Sequence, residues 1–85
     1  MRQVYSYPIK GRIMTPTNTD EAINYAANHL PYGWVLSIDI EKGYGCFVVY
    51  DDSGEGRLKL DFDREVTTHE RIVEIVEKAR EMVQK

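Results

Sequence analysis

The chain has 85 residues, 42% of them hydrophobic and 29% charged, with a net charge of −3 and one cysteine. That length bounds a single domain over residues 1–85 with one core, and the composition argues against intrinsic disorder. The charge excludes a molecule-wide attraction for phosphate, and the lone Cys46 excludes an intramolecular disulfide.

Residues 3–14 (QVYSYPIKGRIM) read as a strand, with Tyr5, Tyr7 and Ile9 alternating on one face. Pro8 cannot donate to a ladder, which places this strand at a sheet edge, and Gly11 marks a bulge or bend. A helix follows, with Asn18 as its N-cap and Glu21 at the third position of a capping-box variant. Ile23, Ala26, Ala27 and Leu30 form its apolar stripe, and Pro31 and Gly33 end it.

Residues 34–40 (WVLSIDI) alternate as a half-buried strand. Lys42-Gly43 is the tip of a tight turn, and residues 44–50 (YGCFVVY) are apolar on both faces, as a central strand requires. After the DDSGEG turn, residues 57–63 (RLKLDFD) alternate again. Thr67-x-x-Glu70 is a capping box that opens a last helix. Its core face is Ile72, Ile75, Val76, Ala79, Met82 and Val83, and Glu74/Lys78 and Glu81/Lys85 pair on the other side. The predicted class is α+β: a two-layer sandwich, β-α-β-β-β-α, with two helices on one face of an antiparallel sheet.

A two-residue loop at Lys42-Gly43 pairs Glu41 with Tyr44, Ile40 with Gly45, Ile38 with Phe47 and Leu36 with Val49. Trp34, Leu36, Ile38, Ile40, Phe47, Val49, Leu58, Leu60 and Phe62 then share the core face. The other face carries Val35, Ser37, Asp39, Glu41, Tyr44, Cys46, Val48, Tyr50, Arg57, Lys59, Asp61 and Asp63, and no helix is left to cover it. Acidity concentrates in this region: residues 39–65 hold eight acidic side chains against four basic ones. With Lys42 at the turn and Asp51 and Asp52 at the strand's end, Asp39, Glu41, Tyr44, Cys46, Val48 and Tyr50 form the candidate interaction face.

Lys42-Gly43-Tyr44-Gly45-Cys46-Phe47-Val48-Val49-Tyr50 resembles the RNP1 segment of RNA-recognition motifs and the KGYGF stretch of cold-shock domains. That resemblance implies single-stranded nucleic-acid binding by ring stacking, with Tyr44 at the third position of the pattern. Cys46 stands at the fifth, where those families place a second ring, and Asp39, Glu41, Asp51 and Asp52 would repel phosphate. From the first helix onward the order also resembles the double-stranded-RNA-binding domain. That domain has lysines at the start of its last helix, where this chain reads TTHERIVE.

No catalytic or metal-binding constellation stands out. Asp51-x-Ser53-x-Glu55-Gly56 copies the first half of a calcium loop, but Phe62 occupies the position of the essential twelfth-place glutamate. A zinc site wants about four ligands, and His29, His69 and Cys46 are too few and badly spaced. Cys46 has no obvious base, and the G-x-S-x-G elbow and a full dinucleotide fingerprint are missing. The expectation is therefore a non-enzymatic, cofactor-free protein-interaction module, an inhibitor or regulator of a larger partner. Small accessory proteins of phages and mobile elements share this profile. A homodimer through the same face is a related form; single-stranded nucleic-acid binding and a homo-oligomer holding a small polar ligand between protomers are the alternatives. The N-terminal MRQVYSYPIKG lacks a secretory apolar run, so a reducing, cytoplasmic setting without membrane attachment is expected.

Overall fold

Each helix starts where a side chain takes over the unpaired N–H groups of its first turn. Helix α1 (Thr19–His29) begins after Asn18, whose Oδ1 accepts from the Glu21 N–H at 2.9 Å. The Glu21 carboxylate reaches one residue beyond the usual capping box: it accepts from the N–H and hydroxyl of Thr17, at 2.8 and 3.0 Å. Leu30, in extended conformation, closes the helix by donating its N–H to the Ala26 carbonyl. Helix α2 (Thr68–Val83) opens with the expected reciprocal capping box of Thr67 and Glu70.

The computed structural model describes residues 15–84; the strand expected over residues 3–14 lies outside them. Between the helices run β1 (Val35–Glu41), β2 (Tyr44–Tyr50) and β3 (Gly56–Asp61), one antiparallel sheet in the order β1-β2-β3. The result is an α+β fold with both helices against the sheet. Its order over the described residues is α-β-β-β-α.

The β1–β2 register is the expected one, from Glu41 opposite Tyr44 to Leu36 opposite Val49. Gly43, at φ 78°, supplies the left-handed residue that a two-residue turn needs. Strand β3 pairs Cys46 with Asp61, Phe47 with Leu60 and Val48 with Lys59, and a bulge falls between Val49 and Tyr50. It ends at Asp61, two residues short of the expected span. The Phe62 N–H still bonds the Gly45 carbonyl at 2.9 Å, and Asp63 turns away to bridge Val66.

The core is Phe47 and Val49 from β2, Ile72, Ile75, Val76 and Ala79 from α2, and Ala22 and Ala26 from α1. Each large member contributes about 1.5–3 kcal/mol by leaving water. Tyr25, Leu30, Trp34, Leu36, Leu58 and Leu60 pack around it, partly buried. The buried side of α1 is thus Ala22/Ala26; Ile23 is 51% exposed and Ala27 is exposed. Two alanines four apart let α1 lie close along α2, and the bulkier Ile23 is turned outward as a consequence. At the end of α2, Met82 is only half-buried and Val83 is exposed. The charged pairs on α2 are Glu74 with Arg71, in place of the expected Lys78, and Glu77 with Arg80, both at three-residue spacing; the expected Glu81/Lys85 pair involves Lys85, which lies outside the described residues.

Helix α2 packs on β2 and β3, and α1 packs along α2. Coverage therefore fades toward the outer strand at the hairpin end. Ile38, Ile40 and Phe62, expected in the core, are 37%, 73% and 43% exposed. No described helix is long and apolar enough to cross a membrane.

Candidate interaction face

The sheet face turned away from the core is ordered by the register into cross-strand rows. Ser37, Val48 and Lys59 form one row, and Asp39, Cys46 and Asp61 form the next. Beyond them, Glu41 lies opposite Tyr44 at the hairpin end. No described helix lies on this side.

Tyr44 is the exposed aromatic of the face, with 42% of its surface in water. Its hydroxyl donates to Asp61 at 3.1 Å, and the Lys59 ammonium lies 5.5 Å from its ring centroid, within cation–π range. Lys59 starts opposite Val48 yet ends over Tyr44, so its stem crosses the row of Cys46. Cys46, in that row, is buried, and it forms the floor of the face rather than part of the exposed surface expected of it. Val48 and Tyr50 are half-buried. Asp39, Glu41, Lys42 and Asp52 are exposed.

The charges are mutually adjusted. Lys59 pulls the Tyr44 phenol pKa down, but Cys46, partial desolvation and Asp61 outweigh it, leaving the phenol above its ordinary value. Tyr44, with Cys46 and Asp61 adding, holds the Lys59 ammonium pKa up. At neutral pH the face thus presents a neutral phenol and a charged ammonium, bordered by carboxylates. Asp39, Ile40, Glu41, Tyr44, Cys46, Val48 and Lys59 line a depression of ≈ 300 Å³.

Asp51 stands at the other end of β2 and is committed to the turn. Its Oδ1 accepts from the Ser53 N–H and hydroxyl, and its Oδ2 pairs with Arg57 at 3.0 Å. Ser53, with Arg57 in support, holds the Asp51 carboxyl below the usual range. The calcium-like sequence is therefore a hairpin turn whose cation is Arg57. Among the described residues, no group of three or more His, Cys, Asp or Glu side chains is arranged to hold a metal ion.

Lys59 and Asp61 belong to this face, as the alternation along residues 57–63 predicts; what the sequence does not show is that Lys59 reaches across to Tyr44 and that Asp61 accepts from its hydroxyl. The most strongly shifted group lies elsewhere, between the helices. Tyr25 donates its hydroxyl to Glu77, which also accepts from Arg80 at 3.1 Å. Burial, and then the bond to Glu77, push the Tyr25 phenol up to about 12. His29 stacks on the Tyr25 ring at 4.1 Å and donates from Nδ1 to the Tyr25 carbonyl at 2.9 Å. This cluster ties α1 to α2 as a staple. Compared with known protein families, characterised proteins and solved structures, the chain has no match.

Proposed function

We propose that this chain is a non-enzymatic protein-interaction module that binds a larger protein through the open face of its sheet, as an inhibitor or regulator does. The observation that carries this reading is the exposed Tyr44, propped by Lys59 and Asp61 and bordered by Asp39 and Glu41 on a sheet face that no described helix covers. Aromatic side chains held in place lose little entropy on binding and dominate interface energetics. The acidic border favours a partner surface of positive charge.

Ring stacking on nucleic acid fits these residues less well. The second stacking position is the buried Cys46, Lys59 already lies over Tyr44, and Asp39, Glu41 and Asp61 would face the phosphates.

The test compares co-purification from a source-like lysate by the tagged wild type, Tyr44→Ser and, as a control remote from the face, Lys78→Ser. A stoichiometric partner retained by wild type and Lys78→Ser, but lost with Tyr44→Ser at unchanged melting temperature, supports the proposal. Equal recovery by all three proteins contradicts it.

A further inference from the structure

Strand β1 is the outer strand of the sheet, and no described strand pairs with its far edge. In an antiparallel hairpin closed by a two-residue turn, Glu41 and Tyr44 exchange both backbone bonds, and hydrogen-bonded pairs then alternate along the ladder. Leu36, Ile38 and Ile40 consequently turn their N–H and C=O groups outward. Folded proteins usually blunt such an edge with proline, lysine, a bulge or an extra-short strand. The seven residues VLSIDIE contain no proline or lysine, their charged side chains are Asp39 and Glu41, and the sheet's bulge lies between β2 and β3.

The two sides of this edge differ in chemistry. On the helix side, Ile38 and Ile40 are exposed beyond the reach of α2. On the open face, Asp39 and Glu41 are exposed; Asp39 takes only the Ser37 hydroxyl, at 2.8 Å, and neither forms an ion pair among the described residues. A strand laid against β1 places its side chains alternately beside the isoleucines and beside the carboxylates. Alternating apolar and basic residues would satisfy both sides at once.

We propose that β1 takes up, by strand addition, an extended segment of a partner protein in which apolar and basic residues alternate. The proposal rests on the protein-interaction reading above and specifies the partner's chemistry. Main-chain bonds to Leu36, Ile38 and Ile40 supply affinity that is independent of sequence, and the two rows supply selectivity.

The full chain is titrated with a labelled ten-residue peptide alternating isoleucine and lysine, and with a peptide of the same composition in block order. Amide hydrogen exchange is followed in parallel. The expected result is saturable binding of the alternating peptide, new protection at the amides of Leu36, Ile38 and Ile40, and weakening by roughly tenfold or more in D39K/E41K. Equal binding of both peptides, or no change at those amides, overturns the proposal. The chain's own residues 9–13, Ile-Lys-Gly-Arg-Ile, carry the same alternation. If the three amides are already protected in the free chain and K10E/R12E releases them, the occupant is that segment and the partner proposal is overturned. A complex with a lysate protein that survives D39K/E41K but is lost in Tyr44→Ser removes the strand-addition proposal and leaves the open-face reading standing.

Discussion

The ring of Phe62 lies directly over the α-carbon of Gly45: a methyl group placed on Gly45 would sit 2.5 Å from Phe62 Cε2. The Phe62 N–H bonds the Gly45 carbonyl, and its ring also meets Phe47, 5.0 Å between centroids. Gly45 is therefore required by the aromatic side chain that follows β3, which fills the space a side chain would take. Gly45→Ala is expected to cost about 1–3 kcal/mol, because the ring must move. In a Phe62→Ala background the same change should cost much less. A urea-denaturation double-mutant cycle reads the coupling, and a cost independent of Phe62 would refute this account of the glycine.

Thr67 and Glu70 satisfy two N–H groups of α2 reciprocally. Thr67→Ala should lower stability by about 1 kcal/mol, and Thr67→Asp should retain most of the cap. Thermal unfolding followed by circular dichroism would measure both variants.

The staple between the helices predicts an alkaline transition. The Tyr25 pKa, raised by burial and by Glu77 to about 12 against an ordinary 10, means that the folded state holds this proton more tightly than the unfolded state. Its contribution to stability is therefore complete below about pH 10 and is lost as pH rises from there through the folded-state value. Chemical denaturation at pH 9, 10 and 11 should show wild type losing stability faster than Tyr25→Phe. Parallel loss in the two proteins would place the alkaline sensitivity elsewhere.

The burial of Cys46, in the row that the Lys59 stem crosses, can be read by thiol labelling. Native protein should react with a disulfide reagent at least roughly tenfold more slowly than protein in urea, since access limits the reaction. Lys59→Ala should accelerate native labelling, with little change in melting temperature. If the rate is indifferent to residue 59, the lysine does not cover the thiol.

Much of this architecture is legible in the residues themselves. Lys42-Gly43 between two alternating segments specifies the hairpin and hence every pairing along β1 and β2, and the caps at Asn18 and Thr67 mark both helix starts. What sequence periodicity misses depends on how elements approach one another. It cannot say that α1 would bury Ala22 beside the expected Ala26 and turn Ile23 outward, because the close approach to α2 decides which side turns inward. Nor can it say that the helices would stop short of Ile38 and Ile40, since coverage depends on where α2 crosses the sheet. The expected face at Tyr44 was located by alternation alone. No local pattern in β2 reports that Cys46 within it is buried, or that a lysine on another strand crosses its row.

The most direct test of the central claim is native mass spectrometry of the protein gently purified from its source, with Tyr44→Ser alongside. The interaction reading predicts a heavier assembly of this chain with a second protein for wild type, and the bare chain for the variant at unchanged stability. A wild-type protein that appears only as monomer or homodimer, with no added protein mass, would contradict it.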